Sequence, residues 1–122
     1  MTDLDLRRCL AVAHWPEADR AAWVAAIAPG NFLEDTLGRG ALWRKPTRRR
    51  VSKCYGRWLT YLMAAGKLAP EGLPTSRIDR TTVRNYVTML SEQVQPWTVW
   101  SYTLSLYLVA KAFAPDGDWE WR

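Results

Sequence analysis

One histidine and two cysteines are all that the 122 residues offer in imidazole and thiol chemistry. His14 stands between Ala13 and Trp15, and a solitary histidine is far more often structural or exposed than catalytic. Cys9 and Cys54 have no metal-ligand spacing, so a zinc site is not expected. Two isolated thiols read as reduced cysteines of a cytosolic protein rather than as a disulfide. Gly38-Arg39-Gly40 lacks the further glycines and the Lys-Ser/Thr of a phosphate loop. Asp116-Gly117-Asp118 lacks the later ligands of a calcium loop. The acidic residues are scattered, with no paired carboxylates for acid–base work. The chain also lacks a run of 18 apolar residues, and with it a membrane span. Its start, MTDLDLRRCL, is acidic where a signal peptide would be basic and then apolar. Strand-type alternation, internal repeats and low-complexity segments are missing too. We therefore expect no metal, cofactor, small-molecule substrate or membrane partner, and no enzyme.

What is present is charge of one sign and tryptophan. The formal net charge is +5, the sequence pI is near 9.6, and eight Trp occur in a chain the size of one domain. Much of the positive excess lies between Arg44 and Arg57. At about 100° per residue, Val51, Cys54, Tyr55, Trp58, Leu59, Leu62 and Ala65 fall on one stripe of a helix. Arg49, Arg50, Lys53, Arg57 and Lys67 fall on the other side. Pro46 suits the first turn, Thr47 is placed to help cap it, and Gly66 suits the close. Arg44, Lys45, Arg48, Arg49 and Arg50 crowd the helix start, where cations oppose the macrodipole. Charges placed against the helix's own interest point to an outside polyanion.

Around this helix the pattern predicts an all-α fold. Asp3–Ala13 reads as a short helix that stops before His14-Trp15-Pro16. Pro16 opens a second helix with Glu17 and Asp19 in its first turn and Trp23, Ala26 and Ile27 inside. Asn31–Leu37 reads as one or two further turns, and Gly38–Gly40 as a joint. After a Pro- and Gly-rich loop, Asp79 or Thr81 caps a helix running to about Gln93. Val83, Tyr86, Val87, Leu90 and Val94 form its buried stripe. Thr81, Arg84, Asn85 and Thr88 form its outer face, with side chains suited to phosphate and base-edge contacts. A final helix from Trp97 to about Phe113 is apolar nearly all round. Val99, Thr103, Leu106, Ala110 and Phe113 line one side, and Trp97, Trp100, Leu104 and Leu108 the other. Such a helix is either central in the bundle or keeps one face for a partner.

The run Arg48-Arg49-Arg50 through Tyr55-Gly56-Arg57-Trp58-Leu59 and Gly66-Lys67-Leu68 resembles the first helix of the core-binding domain of tyrosine recombinases, the phage-type integrases. Arg77-Ile78, Thr82-Val83, Tyr86-Val87 and Leu90 resemble that family's second helix. Pro96, Thr98-Val99 and Leu106 resemble its third, and Ala114-Pro115 with Asp118-Trp119 the junction that follows. Pro16-Glu17, Trp23 and Trp43 resemble the N-terminal extension of bacterial integrases. The resemblance implies a small orthogonal, SAM-like helical bundle at 44–122, with residues 1–43 as a helical extension packed into one unit with it. It implies a partner, double-stranded DNA, and a cytoplasmic, nucleoid-associated setting on a bacterial mobile element. The DNA-binding residues would be Arg44, Lys45, Arg48, Arg49, Arg50, Lys53 and Arg57 for the backbone, and Thr81, Arg84, Asn85 and Thr88 for the site. The family's catalytic domain has no counterpart here, nor has its fourth helix.

That missing helix leaves the face of Trp97, Trp100, Leu104 and Leu108 open to three expected occupants. The N-terminal helices can fold over it, a second copy can pair with it, or a longer chain can continue onto it. Trp97, Trp100, Leu104, Leu108, Trp119 and Trp121 are accordingly the expected partner interface. A second expectation follows: a helical interaction module that binds a recombinase or itself.

Overall fold

Pro46 in the first turn and Gly66 beyond the last one bound the longest helix of the computed structural model, which describes residues 9–27, 43–68 and 74–114. This helix, Lys45–Ala64, is here called α2; α1 is Glu17–Ile27, α3 is Arg80–Gln93 and α4 is Pro96–Phe113. Short 3₁₀ turns cover Val12–His14 and Pro74–Arg77. No strand occurs among the described residues, and the fold is a small all-α bundle.

The end of α2 follows from glycine. Gly66 adopts φ 71°, which lets Lys67 N–H reach the carbonyl of Leu62 at 2.8 Å and Gly66 N–H that of Met63 at 3.2 Å. This is the paired closure in which a left-handed residue satisfies the last carbonyls of a helix. The start has no such device. Arg44 occupies the N-cap without a side-chain cap bond, and Thr47 does not supply one. Asp79, by contrast, caps α3: Thr82 N–H donates to one carboxylate oxygen at 2.8 Å, and Thr82 Oγ1 to the other at 3.0 Å.

The apolar stripe of α2 is the floor of the core. Val51, Cys54, Tyr55, Trp58, Leu59 and Leu62 are all buried, each large side chain contributing about 1.5–3 kcal/mol relative to exposure. Ala65 was expected on this stripe and is exposed, because the helix ends at Ala64 before the stripe comes round again. Helix α4 lies against α1, α2, α3 and the turn at Pro74–Arg77, which makes it the central helix. It buries Ser105, Leu106, Val109 and Ala110. Aromatic edges knit the helices together. Tyr55 meets Trp15 at 5.1 Å and Phe113 at 5.4 Å, and Tyr86 meets Trp58 at 5.1 Å and Tyr61 at 5.0 Å.

The N-terminal segment departs from expectation. Of the helix foreseen over Asp3–Ala13, only residues from Cys9 onward are described, and these are not α-helical. Instead the chain is pinned to α2. Leu10 N–H donates to the carbonyl of Gly56 at 3.2 Å, and Trp15 Nε1–H donates to the carbonyl of Leu10 at 2.7 Å. A Cβ at position 56 would stand 2.4 Å from the Leu10 oxygen, so only glycine admits this approach. The backbone bonds that a helix would keep to itself are spent on the neighbour. The turns foreseen over Asn31–Leu37 and the joint at Gly38–Gly40 lie outside the described residues.

One buried polar cluster joins distant parts of the chain. Asp19 of α1 is fully buried. Its carboxylate accepts from Arg77 Nη1 at 3.0 and 2.9 Å and from the Tyr55 hydroxyl at 2.5 Å. Asp19 stands in the first turn of α1, as expected, with its carboxylate inside the fold, where it requires partners of this kind.

Candidate nucleic-acid interface

Residues 36–70 contain no Asp or Glu. That stretch includes all of α2, so the helix has cations and no carboxylates of its own. Arg44, Lys45, Arg49, Arg50 and Lys53 are exposed. Among the described residues none of these five forms an ion pair. They run from the N-cap, Arg44, to the third turn of a helix with no acidic first turn and no side-chain cap. The free N–H groups and positive end of the dipole add to Arg44 and Lys45 there, and Arg49, Arg50 and Lys53 extend the positive surface along the helix. Cations held so close together are favourable where phosphates neutralise them.

Two further members of the expected backbone-binding set are partly turned into the fold. Arg48 is half-buried. Arg57 lies over the ring of Tyr102 on α4, 4.5 Å from its centroid, and its Nη1 is 3.6 Å from Cys54 Sγ. A guanidinium over a ring face is held by the ring quadrupole, and Arg57 thereby ties α2 to α4. Its position on the edge of the apolar stripe explains the double role.

On α3, Thr81, Arg84, Asn85 and Thr88 are all exposed, as their spacing predicts. Thr88 differs from the others in chemistry. Its hydroxyl donates to the carbonyl of Arg84 at 3.0 Å, so its proton is committed to its own helix. Arg84 and Asn85 are the better donors of this face.

Helices α3 and α4, joined by Val94 and Gln95, enclose a groove of about 1040 Å³. Arg84 and Thr88 line one wall, and Trp100 and Leu104 the other. Residues expected to serve a nucleic acid and residues expected to serve a protein therefore share one concave surface. The sequence reading missed Arg80, Ser91 and Tyr107, which also line it. Their helical spacing from Arg84, Thr88 and Leu104 was the available signal. Of the remaining expected interface, Trp97 is 73% exposed and stacks on Trp100 with ring centroids 5.1 Å apart. Leu108 packs against the core cluster and does not line the groove. It belongs with the interior, because the buried face of α4 extends around through Ser105 and Val109. Trp119 and Trp121 lie outside the described residues.

Titration of the core is governed by burial. The Tyr55 phenol is pushed well above its usual range by burial, then by the charge and hydrogen bond of Asp19, with Arg77 opposing. Burial likewise raises Tyr86. Both stay neutral at physiological pH. No group of His, Cys, Asp and Glu suited to a metal occurs among the described residues, and no helix there is long and apolar enough to cross a membrane. No family model, curated protein sequence or solved structure matches this chain.

Proposed function

We propose that this chain is a non-catalytic module that binds double-stranded DNA, of the kind found as the core-binding domain of tyrosine recombinases. The supporting observation is the N-terminal half of α2: five exposed cations without ion pairs among the described residues, of which Arg44 and Lys45 stand at the helix end whose dipole they oppose. In this reading Arg44, Lys45, Arg49, Arg50 and Lys53 take the phosphate backbone. Arg48 and Arg57 support them from partly buried positions. Arg84 and Asn85 on α3, with Thr81 beside them, supply whatever sequence preference the module has. Its setting is the nucleoid of a bacterial cytoplasm, on a mobile element.

The test is a mobility-shift titration with duplex DNA at several salt concentrations. With about four to six phosphates contacted, log affinity falls against log salt with a slope of roughly −4 to −5. No binding at low salt refutes the proposal.

A second reading has an observation of its own. The stacked and exposed Trp97 and Trp100 beside an apolar groove are features of a protein-binding surface. In that reading the chain binds a recombinase subunit or itself. Trp97→Ala then dissociates a complex seen by light scattering without altering affinity for DNA.

A further inference from the structure

The groove between α3 and α4 is lined mostly by apolar side chains, Val87, Val99 and Leu104 among them, but its two walls differ. On the α3 wall stand Arg80 and Arg84, both exposed and without an ion pair among the described residues. On the α4 wall stands Trp100, 50% exposed, with Trp97 stacked on it. No Asp or Glu lines the groove among the described residues.

Each wall lacks a partner of its own kind. Arg80 and Arg84 are four residues apart, so their side chains are neighbours on one face of α3. Like charges at that spacing cost a helix stability, and an anion laid across them recovers it. The two indoles have ring centroids 5.1 Å apart at an interplanar angle of 25°, and Trp97 is still 73% exposed. A stack of two uses one face of each ring, which leaves aromatic surface in water. The ligand that suits both walls has flat rings strung on an anionic backbone.

We propose that this groove binds single-stranded DNA, with unpaired bases stacked on Trp100 and Trp97 and phosphates held by Arg80 and Arg84. Aromatic side chains beside cations suit an unpaired strand, because every base has a π face to offer. In a duplex those faces are already stacked on one another and out of reach. The size agrees. At about 1040 Å³ the groove is at the upper end of the ~300–1,000 Å³ that drug-sized ligands fill, which suits a few nucleotides. Its hydroxyls are engaged elsewhere. Thr88 donates to the Arg84 carbonyl at 3.0 Å, Ser91 to that of Val87 at 2.8 Å, and Thr103 to that of Val99 at 2.8 Å. With those protons committed to their own helices, none of the three donates to a base edge or to a ribose 2′-OH. Binding is then tolerant of sequence and has no preference for RNA. It needs none of the five α2 cations and does not depend on duplex binding; Arg84 is the one residue the two readings share.

The test is a fluorescence-anisotropy titration of the full chain with fluorescein-labelled hexathymidylate, beside a duplex and hexauridylate. Hexathymidylate is expected to bind with a salt slope of roughly −1.4, the value for two phosphates contacted on a single strand. Trp100→Leu, which keeps an apolar side chain without a ring, should weaken it about tenfold or more, whereas Trp100→Phe should retain most of the affinity. Trp97→Ala repeats the test at a position 73% exposed, should Trp100→Leu disturb the fold. Arg80→Glu should weaken binding as well. No binding of hexathymidylate at low salt overturns the proposal, and so does unchanged affinity in both tryptophan variants. Tighter binding of hexauridylate overturns it too. A dimer in light scattering that Trp97→Ala dissociates, with no binding of hexathymidylate, assigns the groove to a second copy instead. If hexathymidylate binds as expected and the duplex does not, the duplex reading alone has failed.

Discussion

Arg77 Nη1 sits 3.0 and 2.9 Å from the two oxygens of Asp19, a residue 58 positions earlier in the chain. Both side chains are inside the fold. Two charges removed from water are sustained only by each other and by their further hydrogen bonds. Asp19→Asn or Arg77→Ala leaves one of them without its counter-charge. Each is expected to cost about 3–5 kcal/mol, read as a lower midpoint in urea denaturation. The double replacement Asp19→Leu with Arg77→Met should cost clearly less than the sum of the singles, because it removes both charges together.

Two buried tyrosines should respond oppositely to loss of the hydroxyl. Tyr55 donates to Asp19, and Tyr55→Phe removes a hydrogen bond to a charged acceptor, at a cost of about 1.5–3 kcal/mol. Tyr86 holds its hydroxyl buried with no hydrogen-bond partner. Tyr86→Phe removes a polar atom that gains nothing from the fold, so its expected effect is neutral or stabilising by up to ~1 kcal/mol. Thermal or urea unfolding of the two variants, side by side, decides the matter. A large loss in Tyr86→Phe would show that its hydroxyl is bonded after all.

The same two residues set an alkaline limit. Burial raises both phenols above their ordinary range of about 10. The unfolded chain therefore releases these protons first as pH rises. Their contribution to stability is fully present below about pH 10 and is lost progressively above it, through the higher folded values. Urea midpoints should be level from pH 7 to 9 in this respect and should fall between about pH 10 and 11. The Tyr86→Phe protein should show a shallower fall.

For the proposed DNA interface, cations of α2 and of α3 should separate by their effect. Arg49→Ala and Lys53→Ala, both at exposed positions, should weaken binding to all duplexes alike. Each should reduce the salt slope by about 1. Arg84→Ala should instead change the ranking of sequences if α3 reads base edges. Arg57→Ala carries a different signature. It removes the contact with Tyr102, so it should lower stability along with affinity. Fluorescence-anisotropy titrations at two salt concentrations, paired with unfolding curves, distinguish the three classes.

What could be read beforehand was whatever has a short repeat or a local partner. The stripe of α2, its closure at Gly66, the Asp79 cap and the helix boundaries near Gln93 and Phe113 all rest on residues a few positions apart. The features that could not be read depend on distant ones. Asp19 is the first-turn acid its position suggests, but its burial was not legible, because its partners, Tyr55 and Arg77, lie 36 and 58 residues away. Leu10 gave up helical bonding for a carbonyl on α2, again far along the chain. Within the candidate site, the composition of each wall of the groove was legible. That Arg84 and Trp100 face the same space was not, since helical spacing sorts residues on one helix and not between two.

The central place of α4 also bears on the order of synthesis. Helix α2 is complete at Ala64, while the helix that covers it runs from Pro96 to Phe113. A chain growing from its N-terminus at ~5–20 residues per second carries Val51, Trp58 and Leu62 without that cover for several seconds. During that interval the positive side chains of α2 are its defence against association with other nascent chains. A chain whose synthesis ends short of Phe113 would lack part of that cover and leave this apolar stripe exposed.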